Sequence, residues 1–284
     1  MLTSDAAPCS DRIFRRPHVK TALTKASATA LLFLLLPAVG QAQVSEDALA
    51  PGVTNALAAR LAADHRAAAI APGRYSAGEG RNFVLMPYRG RYLLRFDGVA
   101  ENFVLTADAA SLGAKLLKYD TGAAALSISV WGGVTLYAAD APGGLPATHQ
   151  GGAGALTPIS VSASELRSAL SDEAAHFSYA GDLTLQFVTD TATLSDPEAR
   201  AMAFDALANV QWGIERFIAT QAGKRAVSRR ISTVKLEKAA KPGVTLSGRN
   251  LLVRYAPQDG YMGRVSSHAV AHHLGKLLAV SVSE

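Results

Sequence analysis

The stretch that most constrains this chain lies between residues 82 and 138, where short runs of alternating apolar and polar side chains are parted by glycine-bearing turns. The runs cover 82–87, 91–96, 101–106, 114–119, 124–130 and 134–138. Between them stand Arg89-Gly90, Asp97-Gly98, Ser111-Leu112-Gly113, Asp120-Thr121-Gly122 and Gly132-Gly133. Glycine accepts the positive φ that tight turns demand, and Asp-Gly is among the strongest short hairpin signals. Leu126, Ile128 and Val130 alternate with Ser127 and Ser129, the period of a strand with one buried face. Links this short join neighbours antiparallel. Six such strands in succession predict a meander, either an open sheet or a small barrel. Phe83-Val84-Leu85 recurs as Phe103-Val104-Leu105, which shared strand composition explains without a duplication.

The flanks read differently. Residues 45–69 are rich in alanine, with Leu57, Leu61 and Asp64/His65 near one face, and predict a helix interrupted at Pro51-Gly52. Residues 140–158 hold eight Gly or Pro among nineteen, the composition of a flexible linker. Beyond it, Ser162-Ala163-Ser164-Glu165 fits a capping box opening a helix to about Phe177. Residues 183–187 alternate as a strand. Ser195-Asp196-Pro197-Glu198 suggests a second capping box. The helix it opens carries Met202, Ala203, Ala206, Leu207, Val210, Ile214, Phe217 and Ile218 on one stripe and is expected to end at Gly223. Strands follow near 230–236, 244–247 and 250–255, and Ser266 or Ser267 can cap a last helix through about Ala279. The fold class expected is α+β: an N-terminal helix with a six-stranded antiparallel meander over 43–139, a linker over 140–158, and a mixed α+β half over 159–284.

Residues 1–42 read as an address label. Arg12, Arg15, Arg16, Lys20 and Lys25 precede an apolar run over 26–39 that includes Leu31-Leu32-Phe33-Leu34-Leu35-Leu36. At ~14 residues the run is short of the ~20 that span a bilayer. It exits through small residues at Gly40 and Ala42, the shape a signal peptidase accepts, so cleavage is expected after Ala42. Arg15-Arg16 hints at twin-arginine export, but Pro17 and His18 depart from that motif, and ordinary secretion is the default. The expected setting is periplasmic or secreted, with no transmembrane segment after processing.

Removing the five cations and two acids of residues 1–42 leaves 23 Lys+Arg against 21 Asp+Glu, a net charge of +2. The basic balance of the whole chain is therefore poor support for nucleic-acid binding, and no nucleic-acid partner is expected. Cys9, the single cysteine, would leave with the signal. The remainder could then form no disulfide, thiolate metal site or cysteine nucleophile, and its stability would rest on packing.

Candidate sites are few. His268 and His272 lie four apart in His268-Ala269-Val270-Ala271-His272-His273, the helical spacing that lets two imidazoles reach one zinc ion. Ala269 stands where the zinc-protease motif has its glutamate base, so no peptidase follows and no cofactor beyond such a zinc ion is expected. His65, His149 and His176 are isolated in sequence. Asp190, Asp196 and Glu198 offer oxygen ligands but lack the ordered calcium-loop pattern, and helix capping explains them. No Gly-x-Ser-x-Gly elbow and no phosphate loop is present. Lys224, Arg225, Arg229 and Arg230 form a basic cluster suited to anionic lipid, sugar or polymer, or simply to a solvated helix end. Asp259-Gly260-Tyr261-Met262-Gly263-Arg264 reads as an exposed loop in which Asp259, Tyr261 and Arg264 could touch a ligand.

Ala71-Pro72-Gly73-Arg74-Tyr75, Leu93-Leu94-Arg95-Phe96-Asp97-Gly98, Trp131-Gly132-Gly133-Val134-Thr135-Leu136-Tyr137 and the 259–264 loop together resemble an exported family of Caulobacter-like alphaproteobacteria, a domain of unknown function. The resemblance implies a periplasmic or secreted setting and transfers no catalytic residue. Because no ordered acid–base–nucleophile set is visible in the sequence, the favoured reading is a non-enzymatic envelope protein that binds an unknown partner or ligand. The alternative is a metal-assisted hydrolase using His268 and His272, and an inhibitor of an extracellular enzyme is a third.

Overall fold

The computed structural model describes residues 70–280, apart from 79, 153 and 155–159. The expected signal over 1–42, the helix over 45–69 and His65 lie outside the described residues. Eight strands follow one another from there: β1 (Gly73–Ala77), β2 (Arg81–Tyr88), β3 (Arg91–Phe96), β4 (Phe103–Ala109), β5 (Lys115–Lys118), β6 (Ala124–Ile128), β7 (Val134–Ala138) and β8 (Ala141–Gly151). Each pairs antiparallel with the next, and β8 returns to β1 with Tyr75 opposite His149 and Ala77 opposite Ala147. The expected six-stranded meander after an N-terminal helix is thus corrected to a closed eight-stranded barrel.

The two strands that sequence patterning omits are the two that close it. β1 turns Gly73, Tyr75 and Ala77 inward, so only one large apolar side chain marks its buried face. β8 was expected to be linker, because Pro142, Gly143, Gly144 and Pro146 are residues that weaken strands. Closure supplies what composition lacks: β8 runs between β7 and β1, and a closed barrel leaves no strand edge exposed. Gly144 is required there, since it has φ +83° and a Cβ on it would collide with Thr135 and Tyr137 of β7. Register slips on both sides of β8 take up the misfit.

The barrel is filled. Phe83, Leu85, Leu94, Phe103, Leu105, Leu117, Leu126, Ile128 and Leu136 are buried together inside it. Tyr75 stacks on Phe83 with centroids 5.3 Å apart, and an edge-to-face series runs from Phe83 to Phe96, Phe103 and Tyr119.

The second lobe carries a four-stranded sheet in the order β11-β12-β10-β9, from β9 (Gln186–Thr189), β10 (Thr233–Lys238), β11 (Gly243–Ser247) and β12 (Asn250–Tyr255). β10 is parallel to both β9 and β12, and β11 returns antiparallel on β12. Its helices are α1 (Ala163–Tyr179), α2 (Thr191–Ser195), α3 (Pro197–Ile218), α4 (Gln221–Arg230) and α5 (Ser267–Leu278). The capping box at Ser162 forms with both hydrogen bonds present. The second does not: Asp196 caps α3 by accepting from the Glu198 amide at 3.0 Å, while Ser195 ends α2 with its hydroxyl donating to Ala192. α3 also stops at Ile218 and not at Gly223, because Thr220 caps a separate α4 through the Gly223 amide at 3.1 Å.

Buried Ala199, Ala203, Ala206, Leu207, Val210, Ile214 and Phe217 form the inner stripe of α3, which packs on β10, β12 and α5. Gly213 sets how closely α3 and α5 approach. A Cβ there would sit 2.5 Å from Val270 Cγ1 and 2.9 Å from the Ser267 carbonyl. No described helix is long and apolar enough to cross a membrane.

Candidate functional site

Barrel and α/β lobe belong to one compact unit, and the loop expected to be exposed is the joint between them. After β12 the chain makes a short 3-10 stretch, Pro257–Gly263. Glycine is required at 260, where φ is +55° and Tyr88 of β2 occupies the space a Cβ would need. The Tyr261 amide donates to Tyr88 Oη at 3.2 Å, and the two rings meet edge to face with centroids 5.5 Å apart. Arg89 reaches the Gln258 carbonyl at 3.3 Å.

Arg264 follows and is buried, at 5% exposure. Its guanidinium lies over the Tyr261 ring, pairs through Nε with Asp205 of α3, and donates through Nη2 to the Asn102 carbonyl of the barrel at 2.9 Å. Asp205 is buried as well. A charge removed from water this far is tolerated only when paired and hydrogen-bonded, and both conditions are met.

Ser266 and Ser267, just beyond Val265, start α5. Ser266 donates its amide and hydroxyl to the Asp120 carboxylate at 2.9 and 2.6 Å, and its Oγ accepts from the Ala269 amide as the N-cap. Ser267 donates its amide and hydroxyl to the Glu101 carboxylate at 2.8 and 2.6 Å. Helix N-termini carry amides without intrahelical partners and a partial positive charge, so two barrel carboxylates are bound where they are best stabilised. Glu101 is 1% exposed. Burial pushes its carboxyl above the ordinary value, against the opposing pull of the Ser267 hydrogen bonds and of Arg264 and Arg216.

His268 completes the joint. Its ring lies 5.0 Å from Phe103 and 4.7 Å from Tyr119, centroid to centroid. Burial, then the Arg216 charge, push it down to about 4 against the pull of Asp120. It is therefore neutral at pH 7. Burial also pushes Tyr119 up to about 12.

A serine, a histidine and a carboxylate lie close in sequence or space here, yet they are not arranged for nucleophilic catalysis. Ser267 is fully buried, its proton is held by Glu101, and among the described residues His268 makes no hydrogen bond to either serine. The described histidines have these surroundings. His268 faces aromatic rings and the positive Arg216, while His272 sits beside His273, whose Nδ1 donates to the Ala269 carbonyl at 2.7 Å. Among the described residues no group of three or more His, Cys, Asp or Glu is placed to hold a metal ion. His149 reaches the Pro72 carbonyl at 3.3 Å, and His176 pairs with Glu215 at 2.8 Å beside a shallow groove of about 320 Å³. Asp190 caps α2, and Asp196 caps α3 while pairing with Lys238 at 2.9 Å; both carboxyls are held below the ordinary value by those partners.

The basic cluster lies apart from the joint, on α4. Lys224 reaches Asp182 at 3.5 Å. Arg225, Arg229 and Arg230 are exposed, and among the described residues no carboxylate pairs with them. Elsewhere Arg74 pairs with Asp97 at 2.7 Å, Arg81 with Asp140 at 2.9 Å, Lys118 with Asp108 at 2.8 Å and Lys235 with Glu237 at 2.7 Å.

Sequence reasoning found Ser266, His268, Tyr261 and Arg264 but not the partners that give them their roles. Glu101, Asn102, Asp120, Asp205 and Tyr88 are distant in the chain, at separations from 59 to 173 residues. Glu101-Asn102 directly before the apolar Phe103-Val104-Leu105 was a faint signal, a carboxylate at the mouth of a buried strand.

These features define a class: a small filled β-barrel locked by buried polar contacts onto an α/β lobe. Within it, the chain belongs to the family of the domain of unknown function DUF4908, matched over residues 56–274. No curated protein and no solved structure matches it.

Proposed function

We propose that this chain is a non-enzymatic binding module of the cell envelope, periplasmic or secreted, that engages an anionic partner through α4. The observation that carries the reading is the set of three exposed arginines, Arg225, Arg229 and Arg230, on one helix without acidic partners among the described residues. Clustered like charges repel one another, and an anionic partner relieves that repulsion. The polar groups of the joint are committed to holding two lobes together, which leaves the surface as the place for a partner. The basic stretch and apolar run of residues 12–39 support export.

Retention on immobilised dextran sulfate under a salt gradient tests it. The parent protein is expected to bind, and R225Q/R229Q/R230Q to bind on the order of tenfold more weakly. Equal elution of the two proteins overturns the reading.

A further inference from the structure

An up-and-down barrel sends its turns alternately to its two ends, and here the two ends differ in what they present. One end carries the β1–β2, β3–β4, β5–β6 and β7–β8 turns, where Asp97 pairs with Arg74, Asp140 pairs with Arg81, and Glu101 and Asp120 are bound by Ser267 and Ser266. The other carries the β2–β3, β4–β5 and β6–β7 turns, with Arg91 and Lys115, and with Arg89 held to the Gln258 carbonyl. Asp108, close to that second end, is paired with Lys118 at 2.8 Å.

The same end presents the two most exposed large hydrophobics of the barrel. Leu112 in the β4–β5 turn is 93% exposed and Trp131 in the β6–β7 turn is 87% exposed. The turns touch: a Cβ on Gly113 would lie 2.9 Å from Val130 Cγ1. Residues 109–114 and 129–133 carry no charged side chain. Leu112 also has φ +57° and ψ 30°, a left-handed backbone that is unfavourable for leucine and easy for glycine or asparagine. A leucine that is both strained and solvated contributes little to folding, and its apolar side chain is left facing outward.

We propose that this end of the barrel is a membrane-docking tip, in which Leu112 and Trp131 enter the interfacial layer of an anionic phospholipid bilayer and Arg91 meets its phosphates. Tryptophan favours that layer because its ring is apolar and its N–H polar. Uncharged turns can enter without desolvating a charge, and cations behind them are attracted to anionic headgroups. A protein partner fits less well. Specific protein interfaces bury about 1,200–2,000 Å², whereas two convex turn tips offer far less, and a fluid layer conforms to them. This surface is separate from α4 and does not depend on it.

The test is Trp131 emission in a W212F background, titrated with phosphatidylglycerol–phosphatidylcholine vesicles with and without brominated acyl chains. Trp131 and Trp212 are the only tryptophans, so the signal reports the tip itself and no other lipid contact of the chain. A blue shift with vesicles and quenching by bromine are expected. L112N should weaken vesicle binding about tenfold while keeping or raising Tm, because asparagine accepts the backbone and leucine loses its apolar insertion. Unchanged emission at saturating lipid overturns the proposal. So does L112N binding like the parent, or an emission shift that depends on protein concentration without lipid, which would mark a second copy as the occupant. Vesicle binding that R225Q/R229Q/R230Q abolishes while Trp131 stays unquenched would assign lipid to α4 and also overturn it.

Discussion

Replacing Glu101 by alanine removes the acceptor of two hydrogen bonds from Ser267, at 2.8 Å from the amide and 2.6 Å from the hydroxyl. Ser267 is fully buried, so neither group can turn to water instead. Each unmet buried donor costs about 1–3 kcal/mol, which puts E101A about 2–6 kcal/mol below the parent. That is a large part of the ~5–15 kcal/mol typical of a folded domain. Urea unfolding at pH 7, followed by circular dichroism, gives the number if the slope against denaturant is unchanged. S267A removes the orphaned hydroxyl, so E101A/S267A should lose less than the sum of the two single variants, by ~1 kcal/mol or more. A loss under ~1 kcal/mol for E101A, or strict additivity in the cycle, would refute the reading of this pair as a buried clasp.

Two pH effects oppose each other at the same joint. His268 is pushed below its ordinary value, to about 4, so its neutral burial stabilises the fold fully above about 6.5 and that contribution is lost as pH falls through 4, at about 1.4 kcal/mol per pH unit at most. H268F should flatten the acid side of the stability profile over that window while keeping the ring contacts with Phe103 and Tyr119. Glu101 is raised, so its contribution is fully present below its ordinary carboxyl value and fades as pH rises through the folded value; E101Q should remove that fall. Thermal melts of the variants between pH 4 and 8 separate the two, and a profile unchanged by H268F counts against the buried histidine. G213A should cost about 2 kcal/mol, because steric overlap with Val270 and the Ser267 carbonyl outweighs the ~1 kcal/mol by which alanine favours a helix. A rise in Tm for G213A would show that α3 and α5 do not approach as closely as described.

Local signals in the sequence carried much of the architecture and only one side of the joint. The six strands with alternating large apolar residues were legible because each has a buried face of Leu, Val, Ile or Phe, as in Phe83-Val84-Leu85. β1 and β8 were not, since Gly73, Ala77, Gly144 and Pro146 earn their place only from neighbours across the closure. Ser162 was readable as a cap because its partner Glu165 lies three residues on. Ser195 misled because Asp196 competes for the same amides and has the stronger, charged acceptor. The loop at 259–264 has the composition of a surface turn, yet Tyr88 and Asn102, more than 160 residues away, cover part of it and Arg264 is buried. Periodicity reports which face is apolar. It cannot report which two distant polar groups will meet.

Hydrogen–deuterium exchange of the folded protein, with and without dextran sulfate, bears most directly on the division between a closed joint and an active surface. The expected result is added protection confined to residues 221–230, with the Ser266 and Ser267 amides exchanging slowly in both states. Ligand-dependent change across residues 264–273, or fast exchange at those two serines in the free protein, would contradict it.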